Sequence, residues 1–202
     1  MGLSLHYTAK LRKSEYLPEL IEEIIDICQS LNWPCREIDS AEPKSVNPTG
    51  TDASEEPANA IRLRGVLFTP PECETFSLLF SPDGRLLDLI KLAAGFAPDA
   101  AEQALHVSVK TQFAGPDVHS ALVKLLRYLE KKYLADVSVI DEGAYWETED
   151  RQELERRFAR IDRGIAVIAE ALENYRGPGP ADGSPESLAD LIERILRGRG
   201  DF

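Results

Sequence analysis

The sequence is poor in the residues that staple a fold or cross a bilayer. Only three cysteines occur in 202 residues, Cys28, Cys35 and Cys73. An odd, scattered set excludes a disulfide framework, and without a CxxC pair there is no outline of a zinc site. They read as buried or half-buried free thiols of a reducing compartment. No window approaches 18 uninterrupted apolar residues, so no membrane span is expected. Met1 to Tyr7 lacks a basic region followed by an apolar run, and His6 stands where an acylation signal wants Ser or Thr. A cytoplasmic protein is expected. Bases are scarce too, 23 against 35 acids for a net charge of −12, so nucleic acid is not an expected partner.

Catalytic signatures are also missing. There is no GxSxG elbow, HExxH, Walker A, GxGxxG or EF-hand loop. Residues 177–183 (GPGPADG) are glycine-rich, but their prolines remove the backbone donors a phosphate cradle needs. Serine hydrolysis and P-loop chemistry have no support, and no cofactor is expected.

What remains is globular, with 43% hydrophobic and 29% charged residues. Leu3 to Lys10 alternates apolar and polar residues, the period of a half-buried strand. Ser14 is a candidate N-cap for a helix to about Asn32, with the stripe Leu17, Leu20, Ile21, Ile24, Cys28, Leu31. Cys35 to Ser40 reads as a short strand. Residues 41–59, with three prolines and almost no large apolar group, read as a mobile loop. Strands are expected at Ala60–Thr69, Thr75–Ser81 and Arg85–Leu89, the last two joined by a turn at Pro82-Asp83-Gly84. After an ambiguous 91–103, where a short helix follows Pro98, come a strand at Leu105–Phe113 and a helix to Tyr133. That helix carries Val118, Ala121, Leu122, Leu125 and Leu129. A strand follows at Asp136–Ile140. The longest helix, Asp150 to Tyr175, spaces Leu154, Phe158, Ile161, Ile165, Ile168 and Leu172 by 4, 3, 4, 3, 4, a coiled-coil seam.

The order predicts an α+β fold, an antiparallel or mixed sheet with helices packed on one face. One domain spans 1–176, followed by a linker at 177–183 and an amphipathic C-terminal helix at 184–198 with Leu188, Leu191, Ile192 and Ile195. A helix of that length is marginal alone in water, so its stripe must dock. A homodimer is expected, with 150–175 and 184–197 at its interface. His6-x-Thr8-x-Lys10 and His106-x-Ser108-x-Lys110 each precede a helix and a strand ending in Ile-Asp, so the two stretches are candidate copies of one β-α-β unit.

Two constellations carry chemistry. The polar parity of the strands gathers His6, Lys10, Arg62, Arg64, His106 and Lys110, which share a face if the strands share a sheet. Six such groups in so acidic a chain point to an anionic ligand or partner. The bland alternative is a solvated face whose cations pair with local acids. The second constellation is acidic: residues 136–150 hold six acids and no base. Asp141 and Glu142, with His119 and Asp117, offer a site for Mg²⁺ or Mn²⁺. The simpler account sets Glu147, Glu149 and Asp150 at the start of the long helix, with Thr148 or Asp150 as N-cap. His119 by itself reads as a surface or capping-region histidine, and Tyr145 and Trp146 as cover for a core edge or a contact spot. The leading expectation is therefore a non-enzymatic binding or regulatory protein using the cationic sheet face. The alternative is a metal-dependent hydrolase built on segment 141–150 and His119.

Overall fold

Helices and two small antiparallel sheets make the expected α+β fold. A computed structural model describes residues 2–40, 62–93 and 106–173. Strand β1 (Ser4–Leu11) buries Leu5, Tyr7 and Leu11 and leaves Ser4, His6 and Thr8 half-exposed, as its alternation requires. Ser14 does not cap the next helix. It opens a 3-10 turn (Ser14–Tyr16), and α1 (Leu17–Ser30) starts with Pro18 in its first turn, where a missing N–H costs nothing. Leu20, Ile21, Ile24 and Cys28 form its buried stripe. Asn32, at φ 54°, ends it in the left-handed region that asparagine tolerates.

Strand β2 (Cys35–Asp39) pairs with β3 (Arg64–Phe68), and β3 with β4 (Phe76–Phe80), all antiparallel. The turn at Pro82-Asp83-Gly84 forms, closed by a Gly84 N–H to Ser81 carbonyl bond of 2.8 Å. The strand expected at Arg85–Leu89 shrinks to two bridges, Lys10 with Arg85 and Phe80 with Leu86, which link β1 to β4. Asp88 stops it: its carboxylate caps the N–H groups of Ile90 (2.8 Å) and Lys91 (3.2 Å) and starts α2 (Leu89–Ala93).

The other sheet has the order β5–β1–β6, from β5 (Val107–Lys110) and β6 (Leu134–Asp141), with α3 (Gly115–Lys132) between them in the chain. Both β5 and β6 run antiparallel to β1, so they are parallel to each other and the crossover through α3 spans β1. The connection from β1 through α1 to β2 also runs between parallel strands. The two helices touch: Tyr133, just past α3, donates to Glu19 at 3.1 Å, and Lys132 pairs with Glu23 at 3.0 Å. The two candidate β-α-β copies differ in placement, since β5 and β6 flank β1 while β1 and β2 lie in different sheets.

The core between helices and sheets is aromatic. Tyr7 stacks on Phe76 (centroids 4.6 Å), Phe76 on Phe68 (4.9 Å), and Trp33 on Phe68 (6.1 Å). After Tyr145–Thr148 (α4), α5 (Arg151–Glu173) begins at an N-cap made by Asp150, which accepts from Gln152 (2.8 Å) and Glu153 (3.0 Å). The described residues divide into two units, Gly2–Leu154 and 155–173, the latter most of α5. The loop expected at 41–59, the helix after Pro98, the linker 177–183 and the helix 184–198 lie outside the described residues.

Candidate functional site

The six residues of the expected cationic face divide. His6 and Lys110 lie on the same side of the β1–β5 ladder, where register sets Ser4 opposite Lys110 and His6 opposite Ser108. Lys10 is exposed near the far end of β1. His106, one residue before β5, is buried, and its carbonyl accepts from the Lys91 ammonium. The acid Glu142 reaches this face as well. One of its oxygens accepts from the Ser4 N–H (2.8 Å) and the other stands 3.9 Å from His6 Nε2. Lys110 lies over the Phe113 ring at 5.7 Å.

Arg62 and Arg64 belong elsewhere. Register puts Arg64, Val66 and Phe68 opposite Phe80, Leu78 and Phe76, and Phe76 stacks on Tyr7. Arg64 therefore shares the row of Tyr7, the parity opposite to His6 and Lys10. The sequence misleads here because β3 is apolar on both faces: Leu63 and Leu67 pack with Leu79 and Leu87 on one side, while Val66 and Phe68 are buried on the other. Gly65 holds β3 tight on β4, since a Cβ there would fall 1.9 Å from the Leu78 carbonyl oxygen.

Arg62 and Arg64 do meet each other at a cavity of about 230 Å³. Its apolar walls are Leu11, Leu17, Leu63, Phe80 and Pro82, and Ser14, Ser81 and Asp39 complete the lining. Arg64 is half-exposed and stands 3.4 Å from both Glu37 and Asp39 across the β2–β3 ladder. Arg62 is exposed.

Within the acidic segment, Asp141 and Glu142 bond to other parts of the fold. His119, expected near the surface, is fully buried on α3, because the buried row runs His119, Leu122, Val123, Leu126, Leu129 rather than along Val118, Ala121 and Leu125. Its Nδ1 lies 2.8 Å from Thr111 Oγ1 and its Nε2 lies 3.0 Å from Asp141 Oδ1. Asp141 also accepts from the N–H groups of Gly143 (2.6 Å) and Trp146 (2.8 Å), and Thr111 donates to the Leu3 carbonyl (3.1 Å). Burial pulls the Asp141 carboxyl up, but His119 and the two backbone donors outweigh it and hold it below the usual carboxylate range. A hydroxyl, an imidazole and a carboxylate in this order resemble a nucleophilic triad. All three side chains are sealed from solvent, however, so no substrate reaches the hydroxyl.

The other acids have separate partners. Asp117 is almost fully exposed and pairs with Arg151, which also donates to the Pro116 carbonyl and Ser120 at the start of α3. Glu149 pairs with Arg127 at 2.9 Å, and Arg127 lies over the Trp146 ring at 4.9 Å. Tyr145 is buried against the core edge. Asp117, His119, Asp141 and Glu142 thus do not converge, and among the described residues no three His, Cys, Asp or Glu side chains stand so as to hold a metal ion.

Sequence reasoning missed Thr111 and Gly143. A Cβ on Gly143 would lie 2.7 Å from Leu154 Cδ1 and 2.8 Å from His119 Nε2, so this glycine lets the loop close over the network. A signal was present: Thr111 falls on the polar parity change at the end of its strand, eight residues before a histidine on a helix face. No family model, no curated protein and no solved structure matches the chain.

Proposed function

We propose that the protein is a non-enzymatic binding protein whose ligand is a small anion with an apolar body, held where Arg62 and Arg64 border the cavity beside β1 and β3. The observation that carries this reading is that Arg62 and Arg64 border the same concave space as the apolar residues Leu11, Leu17, Leu63 and Phe80. Glu37 and Asp39 already stand 3.4 Å from Arg64, so Arg62 supplies the positive charge this reading relies on. A guanidinium supplies a planar pair of donors that suits a carboxylate or phosphate. At about 230 Å³ the space lies under the roughly 300–1,000 Å³ of drug-sized sites, so it suits a short acyl chain rather than a nucleotide.

The test is a titration of the full chain with octanoate and with 1-octanol, followed by thermal shift and calorimetry. Octanoate is expected to bind saturably and more tightly than the alcohol. Arg62→Ala, at an exposed position, is expected to weaken octanoate by roughly tenfold or more, the worth of one charge-assisted hydrogen bond of about 1.5–3 kcal/mol. Equal binding of acid and alcohol, or an Arg62→Ala protein that binds octanoate like the parent, rejects the proposal.

A further inference from the structure

The sheet β5–β1–β6 has two edges, and they are treated differently. The β5 edge is covered at its end: the Lys110 N–H donates to the Glu74 carboxylate (2.7 Å), and the Lys110 carbonyl accepts from the Glu74 N–H (3.4 Å). The β6 edge is open over its middle, and the bonds of β1 show which groups face outward there. Ala9 and Leu11 spend theirs on the far side, with the Leu86 N–H (2.9 Å) and the Gly84 carbonyl (2.8 Å). Toward β6, Arg12 donates to Tyr133 (2.8 Å) and Ser4 accepts from Glu142 (3.2 Å). The even-numbered residues of β1 therefore hold β6, with Ile140 opposite His6, Ser138 opposite Thr8 and Ala135 opposite Lys10. Val139 falls between them, opposite Tyr7, and turns its N–H and carbonyl away from β1. At the register shift, Val137 stands beside Asp136 (φ 50°) opposite Ala9, whose carbonyl is taken, so Val137 also keeps outward groups. Asp141 closes the stretch, since its carbonyl accepts from the Ala144 N–H at 3.0 Å. Among the described residues, no backbone bond reaches Val137 or Val139 from the open side.

An open edge is usually guarded by a charge, a proline or a bulge. Val137, Ser138, Val139 and Ile140 carry neither charge nor proline, all but the serine are β-branched, and Ile140 is 54% exposed. We infer that this edge pairs antiparallel with the same edge of a second copy, across a two-fold axis at Ser138, joining two three-stranded sheets into one. The open groups choose both the occupant and the register. Val137 of each copy faces Val139 of the other, and each pair exchanges both of its N–H···O bonds. No group that β1 or the 141–144 turn already holds is needed. Charge agrees, because this register sets the exposed Asp136 against Ile140 of the second copy. Sliding two residues toward Asp141 would bring Asp136 against Glu142 and demand the occupied Asp141 carbonyl. A strongly charged partner would find no counter-charge between 137 and 140.

Sedimentation equilibrium of the full chain over a concentration series tests this. So short a contact is weak, and dimers are expected at on the order of 100 μM, dissociating on dilution. Val139→Pro removes only an outward N–H and leaves the β1 ladder its bonds. It is expected to keep the circular dichroism of the parent and to weaken dimerisation by roughly tenfold or more. Ser138→Lys, at an exposed position, sets two ammoniums against each other on the axis and should do the same, which decides the matter if the proline variant fails to fold. In the parent, amide exchange at Val139 should slow as concentration rises, while that at Ile140, paired with His6, should not change. A chain that stays monomeric at about 100 μM, or dimers that both variants leave intact, overturns the inference.

Discussion

Two polar clusters hold the α3 side of the molecule, and they do so by opposite means. Thr111, His119 and Asp141 are sealed, their polar atoms bonded to one another and to nearby backbone, with Gly143 closing the loop above them. Between α1 and α3, by contrast, Glu19, Glu23, Tyr128, Lys132 and Tyr133 make a ring of bonds at the surface. Lys132 reaches Glu19 (3.4 Å) and Glu23 (3.0 Å) and lies over the Tyr133 ring at 4.9 Å, while Tyr128 and Tyr133 both donate to Glu23. The sealed cluster has few members and no substitutes. In the second ring every member has several partners, and all but the buried Tyr133 reach water that can replace a lost bond. Loss of one group should therefore be severe in the first and mild in the second.

The sharpest break is Asp141→Ala or His119→Ala. Each leaves a buried polar partner unmatched and is expected to cost about 3–5 kcal/mol in urea unfolding. Glu23→Gln should cost about 1 kcal/mol or less in the same measurement. If the two substitutions cost the same, burial is not what separates the clusters. Next comes Gly143→Ala, which pushes a methyl against the His119 ring and the Asp141 carboxylate for an expected loss of about 1–3 kcal/mol. The effect should shrink but persist in a His119→Ala background, because the ring is gone while Leu154 Cδ1, at 2.7 Å, still meets the methyl.

Acid and alkali probe the clusters separately. The carboxyl of Asp141 is held below its ordinary 3.8, so its contribution is complete above that value and is lost as pH falls through the lower folded one. Asp141→Asn should flatten the acid limb of the stability curve. Tyr133 is pushed up to about 12 by burial and then by its bond to Glu23, so its contribution is complete below pH 10 and fades as pH climbs toward 12. Tyr133→Phe should flatten the alkaline limb and leave the acid limb as it was. The smallest effect is that of salt. One molar NaCl should erase most of the stability difference between the parent and Lys132→Met, whose ammonium is exposed, and leave that of Asp141→Asn unchanged.

Where one period ruled a segment, the sequence was legible. Leu5 and Tyr7 alternate against Ser4 and His6, and Leu20, Ile21, Ile24 and Cys28 keep a helical stripe, so β1 and α1 read correctly within a turn. It failed where both faces of an element are buried. Arg64 shares a strand with Val66, Leu67 and Phe68, and alternation cannot say which row faces α1; only register against Phe80, Leu78 and Phe76 decides. His119 was misplaced for a related reason, because a polar residue on the core side of a helix contradicts the pattern used to find that side. Its partner Asp141 lies on β6, 22 positions on, and nothing local joins them. Of the expected anion site, Arg62 and Arg64 do share a cavity, while His6, Lys10 and Lys110 lie on β1 and β5 with the opposite parity.

The place of β1 between β5 and β6 bears on how the chain is made. Leu5 pairs with Val109 on one side and Asp141 on the other, so β1 is synthesised long before either of its neighbours. At about 5–20 residues per second, roughly 7–27 seconds pass between the emergence of Leu5 and that of Asp141. Throughout that interval Leu5, Tyr7 and Leu11 lie on an unpaired ribbon, open to holdase chaperones or to the same segment of another nascent chain. Because such distant pairings must close before the sheet exists, refolding should be slow for a chain this rich in helix. A version with β1 moved by circular permutation to the end of the first unit would meet its neighbours at once, and should refold faster and with less aggregation than the natural order.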